Sequence, residues 1–244
     1  GYEYTVATEM YSAGIDRLTH QPLSFSVSET TEGVHIHIID AELMGKGEKE
    51  KKDLYIEGVQ NNGIINHYEY IINSEGTIEI RHVLKPEGKM PLWFPRIGLT
   101  LTVSDALDQV KWYGRGPQEN YPDRKTGYPT GIYASTVQAM YEPYLMPQDY
   151  GLRTDVRWLQ LTTDKGIGLQ FKMNEWFNFN IYPYSTDNLT KAMYTYQLQK
   201  QKGMTLNLDY ATTGVGCTAR GVFGAYKAMP QEYRRTISIR PMMK

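Results

Sequence analysis

An all-β, antiparallel fold is what this sequence predicts, and three features predict it. Apolar and polar residues alternate with period two through most of the chain, turn motifs rich in Asn, Asp and Gly separate the alternating runs, and helical periodicity is scarce. Successive strand side chains point to opposite faces, so each run is expected to bury one face and wet the other. The pattern reads as a meander rather than a βαβ series.

Taken in chain order, the alternating runs are 34–38 (VHIHI), 77–81 (TIEIR), 97–103 (IGLTLTV), 156–160 (VRWLQ), 167–173 (IGLQFKM), 177–181 (FNFNI), 204–209 (MTLNLD) and 236–240 (TISIR). Turns are expected at Asn61-Asn62-Gly63, Asn73-Ser74-Glu75-Gly76, Asp164-Lys165-Gly166 and Gln201-Lys202-Gly203. A short helix is expected within 185–193, capped by Ser185 or Thr186. The charged run 45–53 reads as a solvated hairpin tip. With no internal repeat and no low-complexity linker, residues 1–244 read as a single large β-sandwich domain.

Composition narrows function by exclusion. The formal net charge of −1 provides no basic stripe, so nucleic acid is not an expected partner. No apolar run approaches the roughly 20 residues of a membrane helix, so no membrane partner is expected. The single cysteine, Cys217, has no internal disulfide partner, and no zinc-finger spacing occurs. Twenty tyrosines against six phenylalanines suit amphipathic surfaces such as interfaces or sugar-binding faces. The N-terminus lacks the basic and apolar regions of a signal peptide, and a chain that opens on Gly1 reads as a piece of a longer protein.

Catalytic motifs are sparse. There is no G-x-S-x-G, H-E-x-x-H, P-loop or strand–GxGxxG–helix unit. His35 and His37 share a strand face, but no third ligand can be named for them. They are assigned to an ordinary polar face, with no metal. His20, His67 and His82 carry no signal. Glycosidase chemistry needs two carboxylates across a cleft, and Glu119, Asp123, Glu142, Asp149, Asp155 and Glu175 are the candidates. Several have cations beside them, Asp123 next to Arg124 and Asp155 between Arg153 and Arg157, which suits ion pairs better than proton donors. Trp112, Trp158 and Trp176 could stack on a sugar ring, although Trp158 sits in an alternating strand and reads as core or interface. Gly214 and Gly216 read as a turn or as a backbone lip that a ligand could approach.

The stretch 112–127, WYGRGPQENYPDRKTG, resembles the signature of the C-terminal β-domain, the small-chain domain, of glycoside hydrolase family 2 β-galactosidases. The resemblance continues through Gln148, Gly151, Arg153, Asp155, Arg157 and Trp158, with Asp149 and Tyr150 standing where Glu and Asn are usual. AGIDRL at 13–18, PLWFPRIGLTLTV at 91–103, LNLDYATTGVG at 206–216 and EYRRTISIRP at 232–241 extend it along nearly the whole chain. It implies a galactose mutarotase-like β-supersandwich cut from a larger enzyme, the segment that usually opens the domain lying outside this sequence. The two catalytic glutamates belong to a TIM barrel elsewhere in the parent.

For this domain the resemblance therefore implies no catalytic residue, no metal and no cofactor, Mg²⁺ and Na⁺ or K⁺ being left to the parent enzyme. Glu119, Asn120, Asp123, Arg124, Arg153, Asp155 and Trp158 are expected to hold a rigid loop that docks on neighbouring domains and walls the active site. Thr205 occupies the position where the family places a sugar-stacking tryptophan, and Cys217-Thr218-Ala219-Arg220 replaces an acidic turn after Gly214 and Gly216. Both departures point away from lactose as the preferred substrate. The partners implied are the barrel and other domains of the parent, a galactoside, and further copies in an oligomer, in the cytoplasm or periplasm of a bacterium. The alternative is a free-standing carbohydrate-binding module or mutarotase-like epimerase, with His35, His37 or His82 and Glu69 or Glu79 as acid and base.

Overall fold

The computed structural model describes residues 10, 13–45, 62–216 and 221–243. The expected turn at Asn61, most of the charged run 45–53, and Cys217-Thr218-Ala219-Arg220 lie outside the described residues. The expected antiparallel β fold is present. Among the described residues, eleven strands form one sheet: β1 (Thr19–Thr30), β2 (Gly33–Leu43), β3 (Gly63–Ile72), β4 (Ile78–Glu87), β5 (Arg96–Val103), β6 (Gln109–Arg115), β7 (Thr130–Thr136), β8 (Arg153–Thr162), β9 (Gly168–Tyr182), β10 (Met204–Thr212) and β11 (Tyr233–Met242). Their order is β1-β2-β3-β4-β11-β9-β8-β6-β7, with β10 branching from β9 and carrying β5 on its far side.

The branch arises within β9. The runs 167–173 and 177–181, which read as two strands, belong to this one long strand. Its first half pairs with β11 up to Met173↔Ile237, and its second half pairs with β10 from Asn178↔Asp209. Opposite β8, the register jumps from Trp158↔Lys172 to Val156↔Phe177. Arg157 alone therefore faces Met173, Asn174, Glu175 and Trp176, a bulge that bends the strand. The two branches meet again where His82 on β4 contacts Tyr210 on β10 at 2.7 Å. Trp112, Leu159, Phe179, Leu206, Leu208 and Ile237, from five strands, are fully buried in the shared core.

Turn chemistry follows the residue types. Asn73 Oδ1 accepts the amides of Glu75 and Thr77 at 3.0 Å each, and Gly76 takes a positive φ of 77° to complete the β3–β4 turn. Helix α1 (Thr186–Lys191) is capped by Ser185, whose hydroxyl accepts from the Asn188 amide. The expectation that each strand wets one face fails at β10. Thr205, Asn207 and Asp209 are buried along with the apolar side chains between them, because β10 is flanked by β5 and β9 and its polar face meets the side chains of other strands.

Candidate functional site

The loop between β6 and β7 is fastened from within. Trp112 lies on the buried face of β6 and donates from Nε1 to the Arg115 carbonyl at 3.0 Å, so it has no ring face free for a sugar. A Cβ on Gly114 would lie 2.8 Å from Val156 Cγ2, so a glycine permits the close approach of β6 and β8. Asn120 is fully buried. Its amide donates to the Leu152 carbonyl at 2.8 Å, and its side-chain oxygen accepts the Thr154 amide at 3.1 Å and the Thr154 hydroxyl at 2.5 Å. This stitches the loop to the start of β8.

Glu119 is also buried and accepts from the Gly151 amide at 2.8 Å, the Tyr121 hydroxyl at 3.2 Å and the Tyr144 hydroxyl. Burial drives the Tyr121 phenol above its ordinary range, the Glu119 charge adding to it, and the Tyr144 phenol is pushed up to about 12 by burial and the same carboxylate. Both phenols therefore remain donors.

The neighbouring-cation pairs expected from the sequence do not form. Asp123 receives the backbone amides of Val215 at 3.1 Å and Gly216 at 2.7 Å. Arg124 turns instead to Glu119, 3.8 Å away, and over the Tyr121 ring. Gly214 and Gly216 thus form a lip occupied by a side chain of the same protein. Asp155 has a left-handed φ of 54°, which turns its carboxylate away from Arg153 and Arg157. It pairs with Arg115 Nε at 2.6 Å and Lys125 Nζ at 2.8 Å. Burial alone would raise its carboxyl, but the hydrogen bonds and charges of Lys125 and Arg115 hold it below the ordinary value.

Arg153 is buried over the Trp112 ring and donates to the Gly151 carbonyl at 2.9 Å, while its Nε has no hydrogen-bond partner among the described residues. Burial lowers its guanidinium to about 10 despite the field of Glu119 and Glu142. Arg157 lies 3.9 Å over the exposed Trp176 ring, and Trp158 is half-buried beside Tyr113. Of the remaining carboxylate candidates, Glu175 pairs with Arg235 at 2.9 Å, and Glu142 is raised by burial and by Glu119.

A second polar cluster lies behind this loop, with members the sequence did not single out. Arg96 reaches Asp209 at 2.9 Å and Asp149 at 3.4 Å. Asn180 donates to Asp149 at 2.8 Å and to the Tyr150 carbonyl at 3.0 Å, and Asn207 donates to Asn180 at 2.8 Å. Burial pushes the Asp209 carboxyl up to about 6, opposed by Arg96 and reinforced by Asp149. Thr205 sits at the end of this face, buried, donating to the Tyr184 carbonyl at 2.7 Å and accepting from Gln201 at 2.9 Å. Alternation marks Asn180, Asn207 and Asp209 as a polar face, but nothing in the sequence says that face is covered.

A family model described as "Beta galactosidase small chain" matches residues 8–239. The chain belongs to the β-galactosidase small-chain family. Among curated relatives it is 38% identical over 147 residues to a β-galactosidase of Priestia megaterium, covering 60% of this chain and 14% of that protein. It is 31% identical over 207 residues to a β-galactosidase of Vibrio cholerae, covering 84% of this chain and 18% of that one. The small-chain match thus spans less than a fifth of these relatives' length. Among solved structures, a GalM/aldose epimerase homologue from C. elegans aligns with a TM-score of 0.42 at 11% identity, covering 90% of this chain and 69% of the other.

Proposed function

We propose that this chain is a non-catalytic β-domain of a family 2 β-galactosidase, a single unit over residues 1–244 that packs on the catalytic barrel and walls its active site. One observation carries the reading: the acidic groups of the 116–129 loop and of Asp155 are committed to internal partners. Glu119 accepts three donors, Asp123 two backbone amides, and Asp155 two cations. A general acid or nucleophile has to present its carboxyl group to the sugar, and these groups are instead turned to donors within the chain.

Two further observations support it. The match covers 14–18% of relatives named β-galactosidase, leaving ample chain for a catalytic domain in the parent. Edge strand β1 exposes Leu23, Phe25 and Val27, and the rings of Tyr194 and Tyr196 stack in the open, apolar surface of the kind that packs on neighbouring domains or subunits. In this reading the parent cleaves terminal β-galactosides with retention, through a covalent glycosyl intermediate formed on its own carboxylates.

The test is hydrolysis of a chromogenic β-galactoside by the purified chain. No release above buffer is expected, and turnover at enzyme-like rates overturns the reading. A parallel galactose titration by NMR is expected to give no saturable shifts, whereas saturation in the millimolar range would make the chain a carbohydrate-binding module.

A further inference from the structure

His35 and His37 acquire in the folded chain the third ligand that the sequence could not name. Both lie on one face of β2 because strand side chains alternate. The antiparallel register sets His37 opposite Glu69 on β3. Glu69 Oε1 lies 3.7 Å from His35 Nδ1 and 3.9 Å from His37 Nε2, and one ligand atom from each of the three residues lies within 4.8 Å of the others. A tetrahedral zinc ion with bonds of about 2.0–2.1 Å holds its ligand atoms about 3.4 Å apart. The two separations from Glu69 thus exceed that spacing by about 0.3 and 0.5 Å, and no pair of the three ligand atoms exceeds 4.8 Å, so rotation of the side chains has to close the cluster on an ion.

Two neighbours prepare the cluster. Arg81 on β4 binds the other oxygen, Glu69 Oε2, at 3.1 Å, which turns Oε1 towards the imidazoles. His35 Nε2 is buried and has no hydrogen-bond partner among the described residues, an uncommon state for a polar atom. The Glu32 carboxylate lies 3.8 Å from that nitrogen. An imidazole that commits Nδ1 to a metal carries its proton on Nε2, and a carboxylate is the usual acceptor for it. The orphaned atom and the waiting carboxylate are therefore both accounted for once Nδ1 is a ligand. Two imidazoles and one carboxylate suit zinc and similar borderline cations better than magnesium or calcium, and the half-exposed His37 leaves the fourth position open to water.

We propose that His35, His37 and Glu69 form a surface site for a borderline divalent cation, Zn²⁺ foremost, with Glu32 as the outer partner of His35. The site lies on the β1–β4 arm, apart from the loop that carries the proposed docking role. Calorimetric titration of the tag-free, chelator-treated protein with ZnCl₂ should give one equivalent of binding, and Co²⁺ should give the visible absorption of a low-symmetry site. His37→Ala and Glu69→Gln should abolish both signals, Glu32→Gln should weaken binding about 10-fold, and His67→Ala, on the same face of β3, should change nothing. Circular dichroism of each variant checks that it has folded. Absent binding, binding equally strong in the His35→Ala/His37→Ala double variant, or a preference for Mg²⁺ would each overturn the proposal.

Discussion

Arg115 Nε reaches Asp155 Oδ2 at 2.6 Å across 40 positions of sequence, although Arg153 and Arg157 stand two residues to either side of that aspartate. The left-handed turn at Asp155 makes the difference, because it aims the carboxylate at β6 and its loop rather than along β8. The pair with Arg115, joined by Lys125, ties the end of β6 and the loop after it to β8.

Asp155→Asn keeps the shape and removes the charge, and should lower stability by about 2 kcal/mol in urea denaturation with an unchanged m-value. The pH dependence has a definite sign. A carboxyl held below its ordinary value of 3.8 contributes stability that is present above that value and is lost as pH falls through the folded one. The gap between wild type and variant should therefore be full near neutrality and close in acid. A gap that stays constant into acid would rule this pairing out as its source.

Gly214 and Asp123 should behave as one unit. A Cβ on Gly214 would lie 2.3 Å from the Asp123 carboxyl carbon, so Gly214→Ala must displace the carboxylate from the Val215 and Gly216 amides. Each single change, Gly214→Ala or Asp123→Ala, should be destabilising by about 1–3 kcal/mol. The double variant should be little worse than Asp123→Ala alone, since the clash disappears with the carboxylate. Additive effects in a double-mutant cycle would show that the two residues do not meet as described.

Arg124 separates folding from docking. It is exposed, and its contact with Glu119 is long at 3.8 Å. In this chain alone Arg124→Ala should change stability by less than about 0.5 kcal/mol. In the longer enzyme it should lower kcat/KM for a galactoside if this face walls the active site. Unchanged kcat/KM there would remove Arg124 from that role.

The contrast between Asp155 and the β-strands explains what was legible in the sequence. Runs such as 204–209 and 236–240 announced their strands because period two is a local property, and Ser185 announced α1 because capping is local too. Which run pairs with which is not local, and 167–173 and 177–181 looked like two strands because the bulge at 173–176 interrupts their alternation. The expected ion partners failed for a related reason. Adjacency along a chain does not survive a single left-handed residue, and the true partners, Arg115 and Lys125, come from another strand and its loop. Asn120, Glu119 and Arg153 were singled out by resemblance. Glu69, Arg96 and Asp209 escaped notice in their site roles because their partners lie across the sheet.

Two buried groups should give opposed pH slopes in one window. His82 Nε2 faces Asn66 Oδ1 at 3.1 Å and Nδ1 faces the Tyr210 hydroxyl at 2.7 Å. Because the Asn66 amide nitrogen donates to Asp40 at 3.0 Å, its oxygen is left to accept, so the neutral imidazole donates from Nε2 and accepts at Nδ1. Burial, aided by His67, lowers His82 to about 4 from 6.5, so its contribution is present above 6.5 and is lost as pH falls towards 4. Asp209 is raised to about 6 from 3.8, so its contribution is present below 3.8 and is lost as pH rises through 6. Between about pH 4 and 6 each slope is at most about 1.4 kcal/mol per pH unit, and they oppose. Relative to wild type, His82→Gln should therefore lose stability as pH rises across this window, because the Asp209 slope is left unopposed. Asp209→Asn should gain stability over the same interval. Urea unfolding of the three proteins at several pH values reads both differences, and pH-independent differences for both variants would show that neither group titrates differently in the folded chain.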